Sequence, residues 1–232
     1  DGKVAVCQPR KNTKVINALK NQECKYNILL KGRLNGEVIN EVKPISCVEK
    51  CIDTVGEYDE LKRIFCLDSL EIVISNTTEA GISFVDSDKM SESPDVSFPA
   101  KVTALLYERF KKGKGGLVFL PVELIENNGD ELKKCIIKYA KLWNLENGFI
   151  DYIENECSFC NTLVDRINTG FPRDEKIDLG YEDNMLNTSE YFHLWVIENC
   201  MSLFDELPLD KCGLNVILTE NLEMYRTRKV RI

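Results

Sequence analysis

The sequence offers no window approaching the roughly 18 continuous apolar residues of a membrane span, and Asp1 and Gly2 do not begin a signal peptide. It also lacks positive charge: 30 Lys and Arg stand against 38 Asp and Glu, a formal net charge of −8. That balance argues against a general binder of nucleic-acid phosphates, although Arg226, Arg228, Lys229 and Arg231 make the last segment locally basic. Neither a membrane nor a nucleic acid is an expected partner. The ten cysteines show no even framework of short spacings, and a chain of 232 residues does not need covalent staples. Reduced thiols in a cytoplasm are the expectation. Histidine is nearly absent, so a metal site would have to be built from thiolates. Cys157 and Cys160 form a C-x-x-C, and Cys47 with Cys51 would complete four ligands, but three residues separate the second pair and the pairs lie far apart. A metal-independent chain is the preferred reading, and no proline-rich redox context surrounds the C-x-x-C. His193, between Phe192 and Leu194, reads as a core histidine on a buried strand.

What is present is a core-forming composition, 44% hydrophobic and 29% charged, enough for one large domain or two small ones. Val4 to Cys7 reads as a short strand, followed by an amphipathic helix through Val15 to Leu19. Tyr26 to Leu30 and Glu37 to Val42 alternate about a Gly32 to Gly36 stretch containing Asn35-Gly36, which predicts a hairpin. Asp53 to Phe65 reads as a helix, and Leu70 to Ser75 as a strand buried on both faces. Ser87 to Pro94 reads as a polar loop. Ser97 to Lys112 is a long amphipathic helix with Val102, Leu105, Leu106 and Phe110 inward and Glu108, Arg109, Lys111 and Lys112 outward. A glycine turn at Gly113 to Gly116, a strand at Leu117 to Leu120, a helix at Gly129 to Trp143 and strands near Leu194 to Ile197 and Asn215 to Leu218 complete the pattern.

Buried strands separated by helices imply an α/β fold, a Rossmann-like doubly wound, mostly parallel sheet with a β-hairpin insertion. Ligands of such sheets sit beyond the C-terminal ends of the strands. The Gly-x-Gly-x-x-Gly turn that normally opens a dinucleotide fold does not occur, and the Gly113, Gly115 and Gly116 cluster precedes a strand rather than a helix. Either no dinucleotide is bound, or the first βα unit lies upstream of Asp1.

Four blocks, in order, resemble the mannitol dehydrogenase family of polyol-specific long-chain dehydrogenases, and within it a branch acting on sugar acids. They are 75–82 (SNTTEAGI); 97–101 (SFPAK) through Glu108-Arg109-Phe110 to 120–129 (LPVELIENNG); 159–167 (FCNTLVDRI); and 194–198 (LWVIE) with the terminal Lys229-Val230-Arg231-Ile232. The resemblance implies an NAD(H)-dependent, metal-independent dehydrogenase acting on a small sugar acid. It also implies that residues 1–228 are a dinucleotide-binding domain incomplete at its N-terminus, and that 229–232 begin a helical substrate domain.

Several residues gain candidate roles. Thr78, Glu79 and Gly81 follow a central strand, where glycine permits close backbone approach and threonine can donate to a phosphate or ribose; the alternative is a turn with a capping threonine. Asn161, Asp165 and Arg166 suit a polyhydroxy acid, although an Asp-Arg pair is often only structural. The resemblance implies that Asp165 contacts substrate hydroxyls, with Asn161 beside it. Lys229 opens the family pattern of Lys, four residues, Asn, two residues, His, whose later members would lie beyond Ile232; it is the implied acid and base, the alternative being an ordinary surface lysine. Where the polyol dehydrogenases carry Asp-Asn, this chain has Glu123-Leu124, so Asn128 is the remaining candidate to polarise the reacting oxygen. The strand ending near Gln8, Pro9 and Arg10 lacks the acidic residue that grips the ribose of NAD, and Arg10 and Lys11 would tolerate a phosphate there. The preference for NAD therefore rests on the resemblance.

Overall fold

In a computed structural model, residues 2–9, 13–90, 96–175, 177–200 and 207–229 are described. The elements are β1 (Val4–Gln8), α1 (Thr13–Asn21), β2 (Tyr26–Leu34), β3 (Glu37–Ile45), β4 (Val48–Asp53), α2 (Tyr58–Phe65) and β5 (Ile72–Ser75). They continue as α3 (Phe98–Lys111), β6 (Val118–Pro121), α4 (Asn128–Leu142), α5 (Asn147–Asn155), β7 (Ser158–Phe159) and β8 (Thr162–Asp165). Then follow β9 (Asn168–Gly170), β10 (Asn187–Glu190), β11 (Leu194–Glu198), β12 (Val216–Thr219) and α6 (Glu223–Lys229). The chain divides into two units, Asp1–Glu57 with Asp165–His193, and Tyr58–Val164 with Leu194–Ile232.

In the first unit β1 and β4 pair in parallel, and a four-stranded sheet runs β3-β2-β10-β9. Asn35 and Gly36 both take left-handed backbone, φ 52° and 88°. That geometry twists a two-residue turn to match its strands, so β2 and β3 pair in register from Tyr26 opposite Ile45 to Leu34 opposite Glu37. The hairpin is thus longer than its alternating residues suggest. A core of Ile16, Leu19, Cys24, Val48 and Cys51 packs α1 against β4. The Cys24 and Cys51 sulfurs lie 2.7 Å apart, and burial, then the contact with Cys24, pushes the Cys51 thiol up to about 12. The ten cysteines are free.

The helix expected from Asp53 to Phe65 is shorter: β4 runs to Asp53 and α2 begins only at Tyr58. The turn between them is built by polar side chains. Asp53 accepts the Val55 N–H at 3.0 Å, Thr54 Oγ1 donates to the Gln8 carbonyl at 2.6 Å, and Glu57 accepts the Asp53 N–H at 2.9 Å.

Asp183 ties this unit together. Its buried carboxylate accepts the Asn27 N–H, Asn27 Nδ2, Gln22 Nε2 and the Met185 N–H, each at 2.8 Å. Burial alone would raise its pKa, but these donors outweigh burial and hold it below the ordinary carboxylate value. A carboxyl more acidic folded than unfolded stabilises fully above the unfolded pKa of about 3.9 and loses that contribution as pH falls through the folded value. Asp183→Asn is therefore expected to lower stability by about 2 kcal/mol at neutral pH, the deficit shrinking below about pH 4. Urea midpoints of both proteins at the two pH values check this.

In the second unit β5 with β6, β6 with β7, and β11 with β12 all pair in parallel. Its sheet orders are β5-β6-β7 and β12-β11-β8, and Leu120, Cys160, Ile197 and Cys200 form a shared core. This is the mostly parallel α/β fold with a hairpin that the sequence predicts. Strand β5 was expected to be buried on both faces, yet it is the edge of its sheet and Ile74 is 56% exposed. Ser97 caps α3 by accepting the Ala100 N–H, with Pro99 in the first turn. Arg109, expected outward, is instead 3% exposed. Its guanidinium reaches the carbonyls of Gly115, Phe65, Leu67 and Leu70 at 2.6 to 3.3 Å, a fixed fork filling the loop between α2 and β5. Among the described residues no helix is long and apolar enough to cross a membrane.

Candidate active site

Because β5, β6 and β7 are parallel, their C-terminal ends open on one edge, where ligands of open α/β sheets bind. The loop after β5 carries Thr78, Glu79 and Gly81. Thr78 and Glu79 are exposed, and Thr78 holds φ 78°, a strained value for a β-branched residue. A Cβ on Gly81 would sit 2.0 Å from Thr77 Oγ1 and 2.5 Å from the Thr77 carbonyl oxygen, so only glycine fits. The Gly81 N–H closes the turn onto the Thr78 carbonyl at 2.9 Å.

This loop is held from β6. Glu123, two residues past Pro121, is 2% exposed, and its carboxylate accepts Ser75 Oγ at 3.1 Å, the Thr77 N–H at 3.0 Å and Thr77 Oγ1 at 2.8 Å. Sequence reasoning did not find this role; the only signal was the Glu-Leu that replaces Asp-Asn. Leu124, standing where the polyol dehydrogenases place asparagine, is 64% exposed.

Asn128, the candidate for polarising the reacting oxygen, is fully buried and fully engaged. Its Nδ2 donates to the Glu123 and Thr162 carbonyls, both at 3.1 Å, and its Oδ1 accepts the Gly129 and Thr162 N–H groups at 3.0 and 2.9 Å. Two donors and two acceptor positions exhaust a primary amide. A Cβ on Gly129 would stand 2.6 Å from the Cys160 carbonyl, which lets α4 start against the end of β7.

Asn161 follows β7. Its Oδ1 accepts the Asp130 N–H at 3.1 Å, and its Nδ2 donates to Asp130 Oδ2 at 3.1 Å and Glu198 Oε2 at 3.2 Å. One acceptor lone pair on Oδ1 remains for a ligand hydroxyl. Glu198, at the end of β11, also accepts the Leu222 N–H at 2.8 Å, immediately before α6. That helix ends at Lys229, whose side chain lies outside the described residues, as do Arg10, Lys11, Arg228 and Arg231. Asp165 closes β8 half-buried, while exposed Arg166 donates Nε to the Glu190 carbonyl at 3.2 Å. Glu123 thus links the loop that carries Thr78, Glu79 and Gly81 to Asn128, whose amide bonds Thr162 next to Asn161, while Asp165 lies further along the chain.

His193 lies just before β11 and is half-buried, with Nδ1 3.2 Å from the Tyr191 carbonyl, rather than within a buried strand. Burial raises the Cys157 thiol pKa, and the contact with Cys200, then burial, raises that of Cys160. Among the described residues no group of three or more His, Cys, Asp or Glu is arranged to hold a metal ion.

A parallel sheet whose C-terminal edge carries an exposed loop that only glycine can close is the architecture of a Rossmann-like α/β domain. Residues 3–211 match the Mannitol dehydrogenase Rossmann domain. The chain belongs to that family. It is 42% identical over 240 aligned residues to the altronate oxidoreductase of Bacillus subtilis (strain 168), covering 100% of this chain and 50% of that protein. It is 43% identical over 225 residues to the altronate oxidoreductase of Escherichia coli O6:K15:H31, covering 93% and 46%. The chain therefore spans about half the length of these curated relatives. Among solved structures, a ternary complex of Pseudomonas fluorescens mannitol 2-dehydrogenase with NAD and D-mannitol is similar in fold, with a TM-score of 0.77, 20% identity and coverage of 97% of this chain and 48% of that one. A substrate-free D-sorbitol dehydrogenase has a TM-score of 0.78, 18% identity and coverage of 99% and 50%.

Proposed function

We propose that this chain is the nucleotide-binding half of an NAD(H)-dependent oxidoreductase that interconverts D-altronate and D-tagaturonate in hexuronate breakdown. The observation that carries this reading is the 42% identity along the whole chain to an altronate oxidoreductase. The polar edge described above supports it chemically. Residues 1–228 are proposed as the dinucleotide-binding domain, with 229–232 opening the substrate domain. The cytoplasm is the proposed compartment, a reducing one that suits ten free thiols.

Bound NAD(H) would supply or accept the hydride at nicotinamide C4. The fit of the chain to such a group rests on the loop after β5, where Gly81 admits no Cβ and Thr78 and Glu79 stand exposed. Thr78, Glu79 and the backbone at Gly81 are the residues proposed to hold it. Lys229 is proposed to donate a proton to the ketone oxygen during reduction and to remove the hydroxyl proton in the reverse direction. Asp165 would accept hydrogen bonds from substrate hydroxyls, and Asn161 would use its one remaining acceptor position. Asn128, with no capacity left, contributes by fixing Glu123 and Thr162 rather than by touching the oxygen. No metal is required for this division of labour.

The test is NADH oxidation by the protein at its relatives' full length, offered D-tagaturonate, D-fructuronate and D-fructose. D-tagaturonate is expected to give the highest kcat/KM. A preference for D-fructuronate or D-fructose would move the assignment to fructuronate reduction or mannitol dehydrogenation within the family. Failure to bind NADH would favour a non-catalytic α/β binding domain. This chain alone, which spans about half the length of its curated relatives, is expected to turn over little or no substrate.

A further inference from the structure

We propose that Glu123 is the positioning residue that keeps the loop after β5 in its dinucleotide-binding shape. The inference rests on the reading that Thr78, Glu79 and Gly81 hold NAD(H), and it adds how their geometry is maintained. A carboxylate at 2% exposure has left water, and its compensation here comes from a backbone N–H and two hydroxyls, all on Ser75 and Thr77. The bonds cross from the end of β6 to the end of β5, so they set the height at which the loop leaves the sheet.

Thr77 is the pivot. Its N–H and Oγ1 both donate to Glu123 Oε1, fixing backbone and side chain together. Gly81 folds back against that side chain, so closely that a Cβ would overlap Thr77 Oγ1 and Cβ. Between these fixed points Thr78 is driven to φ 78°. Such a backbone persists only where its surroundings over-determine it. Glu123 supplies that constraint from below, and the loop turns Thr78, Glu79 and Ala80 outward.

Glu123 is itself held. Its carbonyl accepts Asn128 Nδ2 at 3.1 Å and the Ile125 N–H at 2.9 Å, so the carboxylate is aimed from a rigid turn. The brace thus runs from α4 through Asn128 and Glu123 to Thr77. It also gives a physical use to the Glu-Leu that stands in place of Asp-Asn: the longer acid spans the gap between two strand ends.

The experiment compares native protein, Glu123→Ala, Glu123→Gln and the pair Ser75→Ala with Thr77→Val, all at the relatives' full length. Three quantities are read: hydrogen exchange of 75–82 without ligand, the Kd for NADH by fluorescence titration, and the KM and kcat split. Losing the carboxylate is expected to speed exchange in 75–82 and to raise the NADH Kd and KM by about tenfold, with kcat changing less. Glu123→Gln, which keeps one acceptor oxygen, falls between. The double variant removes the two hydroxyl donors from the other side, so it carries the test if Glu123→Ala fails to fold. Folded variants with native loop exchange and native NADH affinity would overturn the proposal. If native protein binds no NADH, the cofactor reading fails, while loop exchange still decides whether Glu123 shapes the loop.

Discussion

Lys229→Ala, in the protein at its relatives' full length, is expected to lower kcat for D-tagaturonate reduction by about 10³-fold. NADH affinity should be unchanged. The ketone oxygen must gain a proton as hydride arrives at its carbon, and Lys229 is the group proposed to give it. Methionine at the same place should be equally inactive, because it fills the volume without a titratable nitrogen. Stopped-flow single turnovers with NADH in excess separate chemistry from binding. A variant that retains native single-turnover rates would remove Lys229 from the reaction. Glu198 joins Asn161 on one side and the Leu222 N–H, just before α6, on the other.

The largest expected loss of stability comes from Arg109→Leu. The buried guanidinium donates to four backbone carbonyls around the loop between α2 and β5, and leucine leaves all of them without that donor. A loss of about 3–5 kcal/mol follows from removing this set of charge-assisted hydrogen bonds, which for a chain of this size lowers Tm by roughly 10 °C. Arg109→Lys keeps the charge but places its donors at one point, so about half the loss is expected. Calorimetry on the three proteins measures both shifts. A Tm for Arg109→Leu within about 2 °C of native would mean that water replaces the guanidinium at those carbonyls.

Arg109 also illustrates where the sequence stops being legible. Its place on α3, next to Glu108 and Lys111, marks it as solvated, and helical periodicity alone puts it on the charged side. The acceptors that draw it inward belong to residues 39 to 44 positions earlier, at Phe65, Leu67 and Leu70, and no local pattern announces them. Elements with strong local patterns were readable: Asn35-Gly36 marked the hairpin, and the spacing of Val102, Leu105, Leu106 and Phe110 marked α3. Strand β4 was missed because Glu49 and Lys50 are poor strand formers, and pairing with β1 overrides their preference.

The candidate site divides in the same way. Residue type placed Thr78, Glu79 and Gly81 after a strand, and the structure puts them there, on an exposed turn. Residue type also made Asn128 and Asn161 plausible ligands, but amide chemistry says nothing of prior commitments. Asn128 is spent on Glu123, Gly129 and Thr162, and Asn161 on Asp130 and Glu198. Glu123 was invisible because its partners lie 46 and 48 positions away. Its function exists only once β5 and β6 are side by side.

The proposed reaction carries a hydride between a nicotinamide and a hexuronate-derived ketone. The most direct measurement is isotope transfer: the protein at its relatives' full length, D-tagaturonate, and NADH deuterated on the transferred face of C4, with the sugar-acid product analysed by mass spectrometry. D-altronate carrying one deuterium at the former ketone carbon is the expected product. Unlabelled D-altronate, or none at all while NADH is bound, would contradict it.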